Sequence, residues 1–168
     1  LAAGSVPRLI PGFERGGPIM TSDEVLDLDV LPARVVVIGG GAIGCEFAST
    51  FADLGSEVTI LEGLPKILPG LDADLAKVVE KSFKKKKIAI RTGVMVKGHT
   101  PNGSGGTTVA FGDDESVEVD AVVVSVGRRP FVDHLGLQGT GVVVDERGFV
   151  VVDEYCQTAE PGVYAVGD

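Results

Sequence analysis

Six consecutive residues constrain this chain more than any others: Gly39-Gly40-Gly41-Ala42-Ile43-Gly44. They follow Arg34-Val35-Val36-Val37-Ile38, a β-branched run of the kind found in strands buried on both faces. They open residues 42–54, where Ile43, Phe47, Phe51 and Leu54 recur near the helical period and Gly55 stands at the expected C′ position. Between a strand and a helix, each glycine of G-x-G-x-x-G has a physical reading. The first permits a tight turn, the second lets backbone approach a pyrophosphate, and the third lets helix and strand pack closely. The helix N-terminus then offers N–H groups without intrahelical partners and the positive end of the helix dipole. A dinucleotide-binding α/β unit is the expectation.

An acid completes the pattern. Glu62 follows a second predicted strand, residues 57–61, and lies 23 positions beyond Gly39. A carboxylate there accepts hydrogen bonds from both adenosine ribose hydroxyls and repels a 2′-phosphate. The next five residues, Gly63-Leu64-Pro65-Lys66-Ile67, hold no arginine for such a phosphate, so NAD is expected over NADP. Glu46 is expected in the first turn of the glycine-loop helix. The dipole favours acids there, and the residue alone leaves that role and a ligand contact both open. Cys45 reads as a small buried hydrophobe. His99 and His134 lack ligand-spaced partners, and no nucleophile–base constellation can be assembled. No catalytic residue and no metal site is assigned.

The rest of the chain sets the fold class. Residues 72–83 predict a helix capped by Asp72, with Leu75, Val78, Val79 and Phe83 on its apolar stripe, and a third strand starts at 88–90. The order β-α-β-α-β implies crossover helices and a parallel sheet. Short strands at 94–97, 107–111 and 116–119 are separated by Asn102-Gly103-Ser104-Gly105-Gly106 and Gly112-Asp113-Asp114, which are hairpin signals. Residues 121–126 read as another buried strand. Residues 128–162 read as loop with short strands at 142–144 and 149–152, and 163–166 as a final buried strand. Residues 1–33 read as a Pro- and Gly-rich extended connector with one short helix starting at Thr21-Ser22-Asp23-Glu24. The fold class is α/β: a Rossmann-like parallel sheet with crossover helices and an antiparallel β-meander.

Composition excludes several alternatives. A chain of 168 residues buries roughly 70% of its unfolded surface, enough for one core. The net charge of −9 argues against nucleic acid, whose binding depends on phosphate neutralisation. Four lysines at 84–87 suit a solvated helix end. The longest apolar runs, such as residues 35–38, have four residues, far short of the ~20 of a membrane span. Cys45 and Cys156 have no CxxC neighbours, which argues against a disulfide scaffold and a zinc site and for a reduced, cytoplasmic setting. Leu1 opens the chain without a leader pattern, and Gly167-Asp168 follows an apolar run directly. The sequence is expected to be a piece of a longer enzyme.

Four ordered motifs carry a resemblance: Leu1-Ala2-Ala3-Gly4-Ser5, the run from Gly39 to Glu62, Val126-Gly127-Arg128-Arg129-Pro130, and Pro161-Gly162-Val163-Tyr164-Ala165-Val166-Gly167-Asp168. They are similar to successive signatures of the flavin-dependent pyridine nucleotide–disulfide oxidoreductases, most of all the branch that oxidises dihydrolipoamide. The likeness covers essentially the whole chain. It implies a connector from an FAD domain at 1–33, the NAD-binding core at 34–127 and a junction returning to the FAD domain at 128–168. It places NAD on Gly39, Gly40, Gly41, Ala42, Ile43, Gly44 and Glu62. The family's nicotinamide-contacting acid falls on Glu46, Val94 matches a position near the adenine, and Gly127 and Arg128 match a loop close to the dinucleotide. Gly4 and Asp168 match FAD-facing positions. Cys45 stands where the family more commonly has an aliphatic residue.

The resemblance also implies partners outside this sequence. A redox-active cysteine pair and a first FAD-binding glycine loop would precede it. A histidine from a C-terminal dimerisation domain would follow, making the enzyme a homodimer. In that complete enzyme dihydrolipoamide, or another dithiol, passes electrons through the disulfide and FAD to NAD, and the present chain alone is not expected to turn over. The same flavoprotein frame also accommodates an NADH oxidase, a peroxidase or a transhydrogenase. A non-catalytic nucleotide-binding module is the alternative outside the enzymes.

Overall fold

A computed structural model describes all residues, 1–168. They form two compact units, one of Arg8–Gly127 and the other of Leu1–Pro7 with Arg128–Asp168. Strand β1 (Ser5–Pro7) belongs to the second. The first contains β2 (Ile19–Met20), α1 (Ser22–Val25), β3 (Arg34–Ile38), α2 (Ala42–Leu54), β4 (Glu57–Glu62), α3 (Ala73–Lys85), β5 (Ala89–Thr92), β6 (Val96–Pro101), β7 (Thr107–Phe111), β8 (Glu115–Val119) and β9 (Ala121–Val124).

Five of these strands make one sheet in the order β2-β9-β3-β4-β5, and every neighbouring pair is parallel. Val37 lies level with Ile60 on one side and Val123 on the other. Successive side chains of a strand point to opposite faces, so the apolar run of β3 serves two cores at once. Val35 and Val37 join Val58, Ile60 and Val123 under Cys45, Ala48 and Phe51 of α2 and Phe83 of α3. Val36 and Ile38 join Leu61, Val122 and Val124 against Val109, Phe111 and Val119. Helices thus cover one face of the sheet, and the antiparallel meander β6-β7-β8 covers the other.

Helix ends are set locally. Gly41 is the N-cap of α2, and Gly55 ends the helix at φ 107°, a left-handed value that glycine adopts without a Cβ penalty. The Ser56 amide then donates to the Phe51 carbonyl at 2.9 Å, closing a Schellman-type stop. Thr21 and Glu24 form a reciprocal capping box on α1.

Several elements depart from the sequence expectations. The buried stripe of α2 is Gly44, Cys45, Ala48 and Phe51, while Leu54 is exposed. In α3, Ala76 and Phe83 are buried with Val79 half-buried, whereas Leu75 and Val78 face solvent. Asp72 is the N-cap residue there but makes no side-chain capping bond. Residues 1–33 are not only connector. Ile19–Met20 adds a parallel edge strand beside β9, and Phe13 is 1% exposed in the meander-side core. Both lie within the larger compact unit, Arg8–Gly127.

The smaller unit has one two-stranded sheet, in which β1 pairs antiparallel with β10 (Arg128–Pro130). The expected strands at 142–144 and 149–152 reduce to a single bridge between Val144 and Val150. The expected buried strand at 163–166 is a bridge between Gln157 and Tyr164, with Tyr164 and Val166 exposed. An apolar run becomes a strand only when a sheet edge receives it, and this unit offers none beyond β1 and β10. No helix of the chain is long and apolar enough to cross a membrane.

Candidate functional site

The sheet order places the glycine turn. From β3 the chain runs through α2 to β4 on one side, while β9 flanks β3 on the other. That reversal is a topological switch point, and the crevice outside the carboxyl ends of the strands there is where open parallel α/β sheets bind ligands. Gly39-Gly40-Gly41 leaves β3 at this point. Ser125, just past β9, donates its amide to the Ile38 carbonyl at 2.8 Å.

Each glycine of the turn answers a different demand. Gly39 has φ 107°, and a Cβ on it would collide with the Ser125 carbonyl. A Cβ on Gly44 would collide with the Gly39 carbonyl oxygen, so this residue sets how closely α2 approaches β3. A Cβ on Gly40 would lie 2.8 Å from Ile67 Cγ2 and 3.2 Å from Glu62 Oε2. Gly41 differs: a Cβ there would meet nothing within 4 Å. Neither packing nor φ, at −72°, demands glycine at that position. What its hydrogen keeps clear is the approach to the start of α2.

No side chain caps that helix end. The Cys45 amide donates to the Gly41 carbonyl at 2.9 Å as the first intrahelical bond, so the amides of Gly41, Ala42, Ile43 and Gly44 have no acceptor within the helix. A cleared approach, uncapped amides and the positive end of the dipole form a cradle for a phosphate group.

Glu62 ends β4 beside this cradle and is 9% exposed. Its Oε2 accepts the Gly40 amide at 2.6 Å, and its Oε1 accepts the Leu64 amide at 2.7 Å. Each carboxylate oxygen has two lone-pair directions, so both keep acceptor capacity for a ligand hydroxyl. Val94 is half-buried against the meander-side core, and its amide donates to the Glu62 carbonyl at 3.1 Å. The structure thus brings Gly39, Gly40, Gly41, Gly44, Glu62 and Val94 to one end of one sheet.

The remaining residues of interest sort differently. Ala42 is exposed and Ile43 half-buried at the start of α2, and Glu46 is exposed. Glu46 falls in the second turn rather than the first, because α2 starts at Ala42 and has no acid in its first turn. A first-turn dipole role therefore does not account for it. Gly127 is exposed at φ 115°, and its carbonyl accepts the Arg8 amide at 2.9 Å.

Arg128 belongs to the smaller unit. Its Nε donates to Ser5 Oγ at 2.7 Å and its Nη2 to the Ser5 carbonyl at 2.6 Å, with Asp168 3.7 Å away. Ser5 Oγ in turn donates to Asp168. Gly4, next along β1's leading edge, accepts the Phe131 amide at 2.9 Å. Arg128, Ser5 and Asp168 therefore form one polar cluster with Gly4 beside it.

Cys45 is buried under the turn, its thiol donating to the Gly40 carbonyl at 3.4 Å. Burial, and then the Glu62 and Glu46 carboxylates, push that thiol up to about 11. It is neutral at physiological pH and cannot serve as a nucleophile there. No group of His, Cys, Asp or Glu is placed to hold a metal ion.

Sequence reasoning passed over Ser5, Ile67 and Leu68. Ser5 sits in a motif read for its glycine. Ile67 and Leu68 are buried, and an apolar pair within a loop is the signal in the sequence that points to them.

Fold and site geometry together define the open parallel α/β class with an uncapped glycine turn at the switch point. The chain belongs to the pyridine nucleotide-disulphide oxidoreductase family, whose model matches residues 1–168. Members of this family are oxidoreductases that use FAD and NAD. The chain is 42% identical to dihydrolipoyl dehydrogenase from Staphylococcus aureus and 39% identical to that from Geobacillus stearothermophilus. In each case 100% of this chain and 36% of the relative are covered. Among solved structures it resembles LpdA from Mycobacterium tuberculosis, with a TM-score of 0.90 and 32% identity over 99% of this chain and 36% of that one. It also resembles the HOCl-induced flavoprotein disulfide reductase RclA from Escherichia coli, with a TM-score of 0.90 and 32% identity over 99% of this chain and 38% of that one. The chain spans little more than a third of the length of these relatives.

Proposed function

We propose that this chain is the NAD(H)-binding part of a dihydrolipoyl dehydrogenase-like flavoprotein, an enzyme that oxidises dihydrolipoamide or a related dithiol. The observation that carries the reading is Gly41: an open glycine where neither packing nor φ requires one, at an uncapped helix N-terminus on the switch point. The relatives named above supply the substrate class.

In this reading Gly39 and Gly44 shape the turn, and the amides of Gly41, Ala42, Ile43 and Gly44 hold the pyrophosphate. Glu62 accepts the adenosine ribose hydroxyls, and its charge disfavours a 2′-phosphate. The single cation of the following segment, Lys66, donates to the Leu71 carbonyl at 3.3 Å. Val94 borders the adenine, Gly127 and Arg128 the dinucleotide loop, and Glu46 the nicotinamide. Gly4 and Asp168 face the FAD, with Ser5 and Arg128 fixing the Asp168 carboxylate.

A nicotinamide dinucleotide held by the turn and Glu62 would supply hydride-transfer chemistry. This chain's own residues bind and orient; none supplies a nucleophile or an acid–base pair, so the chain alone is not expected to turn over. Residues 34–127 hold the nucleotide site, with 1–33 and 128–168 leading from and to the FAD domain. The complete enzyme is a cytoplasmic homodimer in this proposal.

Titration of the protein with NADH and NADPH tests the reading. NADH is expected to bind at least tenfold more tightly. Equal affinities would remove Glu62 as the selector, and no binding of either would remove the nucleotide site.

A further inference from the structure

Between β4 and α3 the chain makes no regular element, yet residues 63–71 are tied down more heavily than a connector requires. The Leu64 carbonyl accepts the Gly93 amide at 2.9 Å, and the Leu68 carbonyl accepts the Leu71 amide at 2.9 Å. The Leu68 amide reaches back across the site to donate to the Gly40 carbonyl at 2.7 Å. Ile67 is 0% and Leu68 8% exposed, both in the core that holds Val37 and Phe51.

Leu68 also has φ 50°, a left-handed conformation unfavourable for leucine. Strain of this kind persists only where surrounding contacts over-determine it, and it concentrates at ligand clamps. Gly70, two positions on, shows that glycine occurs nearby without this geometry, its φ lying outside the positive range. The strained residue is the same one whose amide donates to the Gly40 carbonyl.

Gly40 is consequently held from three directions. Glu62 takes its amide, Leu68 and Cys45 donate to its carbonyl, and Ile67 Cγ2 fills the space where a side chain would start. We propose that Ile67 and Leu68 are positioning residues that clamp Gly40 from outside the turn and preset the glycine loop for a pyrophosphate. The inference rests on the nucleotide reading above. A loop already ordered loses less conformational freedom on binding, so the clamp acts on affinity for ligands that carry the pyrophosphate. A ligand that reaches only the ribose acceptor on Glu62 gains little from it.

The test compares two probes, ADP-ribose and adenosine, on the unaltered protein and on Ile67→Ala and Ile67→Val, well below each melting temperature. Ile67→Ala is expected to weaken ADP-ribose tenfold or more, to leave adenosine within twofold, and to speed hydrogen exchange at the Gly40 amide. Ile67→Val, which keeps the branched carbon, is expected to recover most of the loss. Equal weakening of both probes would mean general damage and overturn the clamp, as would unchanged ADP-ribose affinity.

Should Ile67→Ala not fold, Ile67→Leu decides, because it keeps the side-chain volume but removes the Cγ2 that lies against Gly40. Faster Gly40 exchange with a loss of ADP-ribose affinity supports the clamp, and unchanged exchange overturns it. Unaltered protein that binds neither probe overturns the nucleotide reading and the clamp together. Binding of both probes with no effect of either variant overturns the clamp only.

Discussion

Glu62 and Gly40 lie 22 positions apart and meet at the carboxyl ends of β4 and β3, where Glu62 Oε2 accepts the Gly40 amide at 2.6 Å in a buried setting. The acid that would recognise a ribose therefore also holds the turn that would recognise the phosphates. Glu62→Ala removes the partner of Gly40 and of Leu64 together, a loss of about 1–3 kcal/mol for the buried Gly40 donor and less for the part-buried Leu64 amide, which water can reach. NADH affinity is expected to fall at least tenfold and the gap to NADPH to narrow. Paired titrations of the variant and the unaltered protein check both numbers; an unchanged NADH affinity would contradict the dual role.

Gly41 and Gly44 separate binding from folding. Gly44→Ala forces a Cβ into the Gly39 carbonyl and is expected to destabilise the protein by about 1–3 kcal/mol, through overpacking between α2 and β3. Gly41→Ala adds a methyl that touches nothing within 4 Å at an ordinary φ. Its melting temperature should stay within about 2 °C while NADH binding weakens severalfold. If Gly41→Ala binds like the unaltered protein, the phosphates do not pass there.

The two cysteines should differ in accessibility to a thiol reagent. Burial and two neighbouring carboxylates raise the Cys45 thiol to about 11 from an ordinary 9.0, whereas Cys156 is half-exposed. A thiol reagent at pH 8 is expected to modify Cys156 in the native protein and Cys45 only on unfolding. Because the folded thiol keeps its proton where the unfolded one loses it, the associated stability is intact below pH 9 and is lost as pH rises towards 11. Unfolding midpoints measured across that interval should decline, and Cys45→Ala should flatten the decline.

At the amino end of the sheet, Asp120 accepts from Arg34 Nη2 at 2.8 Å and from the Arg34 amide at 2.9 Å. The guanidinium hydrogen bond holds this carboxyl below its ordinary value of 3.8 against some desolvation. A depressed carboxyl contributes stability that is present above its unfolded value and lost as pH falls through the folded one. Asp120→Asn is expected to lower the melting temperature by about 2–4 °C at pH 7. The difference from the unaltered protein should shrink as pH falls below 3.8.

What could be read from the chain in advance follows the range of the forces involved. The bounds of β3 and α2 emerged residue for residue, because a buried β-branched run, a glycine turn and a C-terminal glycine are local signals. The stripe of α3 did not. Ranking by hydrophobicity favours Leu75 and Val78, yet the face that meets the sheet is Ala76, Val79 and Phe83, where a small residue lets the helix approach. Strands β1, β2 and β10 are two or three residues long and owe their form to partners about a hundred positions away, which no window of sequence contains. Glu62 was found from its spacing, whereas its second duty to Gly40, and the part of Ile67 and Leu68 beneath the turn, required coordinates.

The hydrogen bond from the Arg8 amide to the Gly127 carbonyl bears on how the molecule comes to be folded. It ties together the entry and exit of the larger unit, so β1 and β10, which the chain delivers on either side of that unit, start from neighbouring points rather than from the ends of a long coil. The entropy of closing that loop is met once, by the larger unit's own core. The pairing of Ser5 with Pro130 then becomes a short-range event in time, though a long-range one in sequence. Along the chain β1 precedes the larger unit, and it stays unpaired until Gly127 has been placed. The smaller unit is in that sense the last part of the chain to learn its shape.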